Sequence, residues 1–473
     1  MLKALVGYVA MLLGAIALFL VVRSAGEALT APAPTLLAPE SAATAGGTAS
    51  TDVLFHVLLA LAAVVLVGRL LGAVLRAFGQ PPVIGEVLGG ILLGPSLLGR
   101  VAPEVSTYVL PASVAPALSV VAQLGVVLYM FLVGLELNGD LLRRRAQATV
   151  AISHASIVAP FVLGSLLALY LYPRLGTSTV TFTTFALFMG VAMSITAFPV
   201  LARILSDRGM TKTELGASAL TCAAIDDVTA WCLLAFVVAV AKSDARSVLS
   251  ILVLTVAFIA TMFLGLRPLL TKRLVRSDDP DAPTREALAL VLVGVLLSAL
   301  ATELVGIHAI FGAFLFGVII PHDSSLARAL RDKLHDLVTI LLLPAYFAFT
   351  GMRTEIGLVS GASDWLICGL VILVATAGKF GGTLVAARAT GLDWDHGIGL
   401  GILMNTRGLM ELIVLNVGLD LGAISPTLYA MLVIMALATT MATSPLLSLL
   451  GVGSANALQS GLRRPSAVSV PLD

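Results

Sequence analysis

Fourteen apolar stretches divide this 473-residue chain, most of them long enough to cross about 30 Å of hydrocarbon. They run at 4–22, 53–75, 83–98, 114–135, 148–171, 180–205, 214–241, 248–270, 287–305, 308–321, 336–352, 364–388, 397–419 and 426–450. A backbone in lipid must satisfy its own polar groups, so such stretches fold as helices. Charged residues make up 12% of the chain, against about 25% in soluble domains. So few charges cannot cover a soluble surface, which excludes a soluble enzyme and a disordered scaffold. A net charge of +1 offers no face for a polyanion, so no nucleic acid is expected. With 43 glycines, the composition suits close-packed helices rather than a barrel. The expected fold is an all-α polytopic membrane protein of about 13–14 transmembrane helices.

Charge placement orients these segments. With the N-terminus inside, 20 of the 28 Lys and Arg fall at cytoplasmic ends and six outside. That asymmetry follows the positive-inside rule and puts the C-terminus in the cytoplasm. Segments 83–98 and 308–321 are short, but the count requires both to cross. Residues 1–23 read as a transmembrane helix or signal anchor, 24–52 as an extracytoplasmic linker and 53–450 as the transmembrane domain. Residues 451–473 form a short cytoplasmic tail. Cleavage of the first segment would leave thirteen helices. Cys222, Cys232 and Cys368 lie in apolar stretches and read as small core residues.

The remaining two basic residues, Lys379 and Arg407, lie inside apolar segments. So do Asp226 and Asp227, near the middle of 214–241. Each mid-membrane charge costs roughly 2.5–3.5 kcal/mol on insertion scales, so adjacent acids point to function. Neighbours on a helix point about 100° apart, which gives the two carboxylates different surroundings. A carboxylate is a hard ligand that holds either a proton or an alkali cation. This makes Asp226 and Asp227 the candidate site for a transported metal ion. Lys379 is the natural counter-charge. No cofactor is expected: Gly397, Gly399 and Gly401 imitate a dinucleotide loop but sit within an apolar helix, where glycines serve close packing. Gly85/Gly89, Gly90/Gly94 and Gly378/Gly382 have the same helix-packing spacing.

Two segments carry interruptions. Ser194, Ile195, Thr196 and Pro199 break 180–205, because Pro199 leaves the carbonyl of Ile195 without its helical donor. Asn405, Thr406, Arg407 and Gly408 interrupt 397–419. The two segments are seven apart, and an odd offset makes repeated units antiparallel. Paired broken helices in inverted repeats point to a transporter's midplane site. Thr196 can add an oxygen there. Arg407 can neutralise the freed carbonyls or pair with Glu411 one turn on.

Several segments together resemble the monovalent cation:proton antiporters of the sodium/hydrogen exchanger superfamily, in the branch containing Kef-type and plant cation/proton exchangers. They are Gly79–Gly90, Phe131–Glu136, Thr196–Leu205, Ala223–Trp231, Gly312–Pro321, Gly378–Gly382 and Asn405–Leu412. The resemblance covers about 53–450. It implies two crossed discontinuous helices, Asp227 as the cation- and proton-binding acid, Asp226 as its neighbour and Lys379 as that neighbour's partner. It further implies a homodimer in a bacterial inner membrane, exchanging Na⁺ or K⁺ for H⁺ by an elevator-type motion. The Asp-Asp pair resembles the electrogenic type. Kef-type members carry a C-terminal nucleotide-binding domain that the short tail does not match.

Two other classes fit the sequence less well. A potassium efflux channel would need a filter loop such as Thr-Val-Gly-Tyr-Gly, and none is present. An intramembrane aspartyl protease needs two carboxyls sharing a proton, whereas adjacent acids on one helix diverge.

Overall fold

In a computed structural model, residues 2–32, 50–136, 146–211, 213–242, 245–276, 284–306, 308–321 and 324–451 are described. The remaining linker residues, 33–49, and the tail beyond 451 lie outside this set. All fourteen apolar segments are helical, and no strand occurs among the described residues. Among the described residues, eleven helices are long and apolar enough to span a membrane. The other three segments are the two interrupted ones and 308–321, whose helix has 11 residues, or about 16 Å.

The first bundle begins with α1 (Leu2–Gly26), which packs on α5 (Ala146–Leu175) and α6 (Phe182–Ser194). It continues with α7 (Phe198–Asp207) and α8 (Glu214–Lys242). Helices α15 (Gly361–Ala389), α16 (Trp394–Met404), α17 (Leu409–Asp420) and α18 (Pro426–Leu449) complete it. This bundle bears the candidate site. A flanking bundle holds α2 (Ser50–Ala77), α3 (Pro82–Leu93), α4 (Ala115–Glu136), α9 (Ala245–Ala260), α10 (Arg267–Arg276), α11 (Arg285–Val305), α12 (Ala309–Ile319), α13 (Ser325–Leu337) and α14 (Leu343–Met352). One π-helical turn, Thr261–Leu266, joins α9 to α10, and another, Val338–Leu342, joins α13 to α14.

Side-chain oxygens fix several helix starts: Thr181 accepts from Thr184 N–H at α6, and Ser425 from Leu428 N–H at α18. The expected small-residue packing is present. A Cβ on Gly85 would lie 2.3 Å from the Gly72 nitrogen, so α3 rides directly on α2. A Cβ on Gly378 would lie 2.7 Å from Pro160 Cα, which fixes α15 against α5. One expectation fails. Cys222 and Cys368 are buried, but Cys232 is exposed on the outer face of α8. A lipid-facing cysteine and a core cysteine look alike in an apolar sequence.

The bundles meet along a seam crossed by an ion pair, Arg353 with Asp420 at 2.5 Å, and by several hydrogen bonds. Asn416 on α17 donates to Tyr346 Oη at 3.0 Å and Thr350 Oγ1 at 3.1 Å, both on α14. Gln80 donates to the Met441 carbonyl at 3.0 Å. Cavities open at both ends of the seam. One of about 260 Å³ involves Glu303, His308 and Asp420. The other, about 510 Å³, lies near Ser444, towards the opposite end of α18.

Candidate ion-binding site

The interrupted segments are two pairs of half-helices that cross. Helix α6 stops at Ser194, Ile195 to Ala197 run extended, and α7 starts at Phe198. Pro199 therefore sits in the first turn of α7, where a missing N–H costs nothing, instead of kinking one continuous span. The second break runs from Asn405 to Gly408, between α16 and α17. The breaks bond to each other. Ala197 N–H donates to the Thr406 carbonyl at 2.9 Å, and Thr196 Oγ1 to the Met404 carbonyl at 2.9 Å.

Ending α6 inside the protein orphans its last carbonyls and directs the negative end of its dipole inward. Two buried cations answer. Arg407 donates to Ala192 O at 2.9 Å through Nη1 and to Met193 O at 2.7 Å through Nη2. Lys379 donates to Ser194 O at 2.5 Å. Arg407 also reaches Glu411 Oε2 at 3.1 Å, so both roles considered for it coexist. Thr440 clamps the Arg407 backbone, accepting from its N–H and donating to its carbonyl.

Asp226 and Asp227 share this centre and differ sharply. Asp226 accepts from Lys379 Nζ at 2.7 Å, Ser153 at 2.5 Å, Thr196 at 2.9 Å and Ser156 at 3.0 Å. Its charge is thus paired and solvated by hydroxyls although the side chain is fully buried. Asp227 is 1% exposed, and neither carboxylate oxygen has a hydrogen-bond partner. A bare carboxylate in this setting is costly unless a proton or a cation occupies it.

Five buried charged groups share this centre, the acids Asp226, Asp227 and Glu411 and the bases Lys379 and Arg407. With all ionised, three acids against two bases leave one negative charge. One proton or one monovalent cation on Asp227 cancels it. Ser194, Ile195 and Thr406 line the crossing and are buried, and Asn405 Oδ1 is a further buried oxygen without a donor. The serines Ser153 and Ser156 were not singled out in the sequence. Their signal is faint: two hydroxyls three residues apart, on one face of an apolar helix.

The transmembrane sodium/hydrogen exchanger family model matches residues 60–449. The chain belongs to the sodium/hydrogen exchanger family. As a member it is a multi-pass monovalent cation:proton antiporter. It is 45% identical over 403 residues to the Na⁺/H⁺ antiporter NhaS4 of Synechocystis sp., covering 84% of this chain and 97% of the relative. The K⁺/H⁺ antiporter 1 of Saccharomyces cerevisiae is 33% identical over 82% of this chain, and cation/H⁺ antiporter 20 of Arabidopsis thaliana is 40% identical over 81%. The chain spans about half the length of these two, 45% and 47%. Among solved structures, the sodium proton antiporter MjNhaP1 of Methanocaldococcus jannaschii matches with a TM-score of 0.64 at 15% identity. That match covers 85% of this chain and 98% of the other. At that identity it speaks to the fold alone, and the fold is the sodium/proton antiporter fold.

Proposed function

We propose that the family chemistry runs through Asp227, which binds either H⁺ or one Na⁺, with K⁺ the other candidate cargo. The observation that carries this reading is the unpartnered buried carboxylate beside a fully partnered one. Asp226 stays paired with Lys379 in the state described here. Separation of that pair would free a second acid and a second proton, which supports exchange of more than one proton per cation. Each net charge moved then draws about 2.3 kcal/mol per 100 mV from the membrane potential.

The site-bearing bundle moves against the flanking one in elevator fashion. The seam supports this, because cavities enter it from both ends. The protein works as a homodimer in a bacterial inner membrane, with its C-terminus in the cytoplasm. Relatives named for Na⁺ and for K⁺ both match the chain, so the cargo is decided by measurement.

Purified protein in liposomes with an internal pH dye and an imposed pH gradient tests this reading. Added Na⁺ should collapse the gradient more strongly than K⁺, and the rate should follow an imposed voltage. A rate independent of voltage would remove electrogenicity. No response to either ion would remove the cargo assignment.

A further inference from the structure

The two seam cavities have opposite character. The smaller is lined by the acids Glu303 and Asp420, the second of them paired with Arg353. The larger is lined by Arg76, Arg203 and Arg208, with Asp207 its only acid among the described residues. Basic residues near cytoplasmic helix ends are expected from the positive-inside rule. That rule does not require three arginines from both bundles to line one 510 Å³ cavity. Arg76 ends α2 of the flanking bundle, whereas Arg203 and Arg208 come from α7 and the turn after it.

Two of the three are held in place. Arg208 Nη2 donates to the Ser444 carbonyl and to Ser448 Oγ, both at 2.5 Å, and Arg203 Nε to Asp207 Oδ2 at 3.1 Å. Arg76 pairs with no carboxylate among the described residues. Three arginines against one aspartate leave a surplus of two positive charges. Forked guanidinium groups match the oxygens of a phosphate better than a point charge does. Gln80, whose amide already spans the seam to Met441, lines the same space.

We propose that this cavity binds a phosphate group, and that the bound phosphate bridges the two bundles and slows antiport. The binding site stands on its own geometry, and the slowing rests on the moving-bundle reading above. A phosphate held jointly by Arg76 and Arg203 would tie α2 to α7, so any motion of one bundle against the other must first release it. The group can come from a phospholipid headgroup at the membrane margin or from free phosphate in the cytoplasm.

Thermal unfolding of the full chain in neutral detergent separates binding from transport, because a ligand that prefers the folded state raises the midpoint. One arm replaces chloride with inorganic phosphate at constant ionic strength. A second adds phosphatidylglycerol or, as the uncharged control, phosphatidylcholine. A rise with phosphatidylglycerol alone assigns a headgroup site, and a rise with inorganic phosphate assigns a free-anion site. Arg76→Gln with Arg203→Gln should weaken half-saturation at least tenfold, with Arg76→Lys falling in between. In liposomes the effective ligand should slow wild-type antiport severalfold and leave the double variant's rate unchanged. No rise with either ligand, or an equal rise in the double variant, would overturn the site. A rise without slowing would overturn the bridge. Binding retained by protein that exchanges no cation would instead count against the cargo assignment and leave the site standing.

Discussion

Lys379 Nζ lies 2.7 Å from Asp226 Oδ2 with both side chains fully buried, and the same ammonium caps the Ser194 carbonyl at 2.5 Å. One lysine thus joins the acid on α8 to the broken end of α6. Removing one partner of a buried pair typically costs 3–5 kcal/mol, because the other charge is stranded. Lys379→Met is expected to destabilise by about that amount. Adding Asp226→Asn should recover about 1–3 kcal/mol, a coupling readable by a double-mutant cycle of unfolding midpoints. Strict additivity of the two substitutions would contradict the pair.

Asp227 has no hydrogen bond to lose. Asp227→Asn should therefore leave the unfolding midpoint within about 2 °C of wild type or raise it, while cation-driven proton flux falls to the protein-free background. Retention of full flux would reassign the binding acid.

Protons and cations compete for a single carboxylate on this reading. Protonation of Asp227 removes the charge that the cation needs, so affinity weakens as pH falls. On the acid limb, where Asp227 is mostly protonated, the apparent KM for the cation should rise about tenfold per pH unit with the maximal rate little changed. A KM independent of pH across that limb would exclude a shared site. Fluxes at saturating and limiting cation, taken every half pH unit, would decide it.

The Thr196 hydroxyl lies 2.9 Å from both Asp226 Oδ2 and the Met404 carbonyl, with one proton to serve them. Thr196→Val removes the donor and leaves two buried acceptors short. The expected cost is about 1–3 kcal/mol of stability. Thr196→Ser should restore most of it, whereas a cost from altered packing alone would persist in serine.

Arg407 satisfies two carbonyls of α6 and the Glu411 carboxylate at once. Arg407→Ala should cost more stability than Glu411→Gln, by at least about 2 kcal/mol, since the first strands three acceptors and the second only one donor pair. Equal losses measured by unfolding would show that the half-helix end does not depend on this side chain.

Much of this centre was legible because charge inside apolar sequence is expensive. Asp226, Asp227, Lys379 and Arg407 stand out for that reason alone, and their segments were already defined by hydropathy. The assignment of Lys379 to Asp226 came from resemblance, because a 100° step between neighbours does not say which acid faces α15. Ser153 and Ser156 stayed hidden for another reason. Hydroxyls in apolar helices usually bond their own backbone, as Thr229 does to the Ile225 carbonyl and Thr255 to the Ile251 carbonyl. Nothing local separates those from a serine turned towards an acid. Pro199 marked the first break, but a single sequence does not show whether proline interrupts a helix or begins one.

Helix α1 rests on the site-bearing bundle, with Tyr8 edge-on to His154 and Phe19 against Phe161, whereas α2 belongs to the other bundle. The 23 residues between Gly26 and Ser50 therefore join helices that pack on different bundles. Fully extended, that length reaches about 75–80 Å. That reach exceeds a bilayer thickness, so on the moving-bundle proposal the chain length allows α1 to stay with the ion site. Its apolar outer surface would then be the face that slides through lipid.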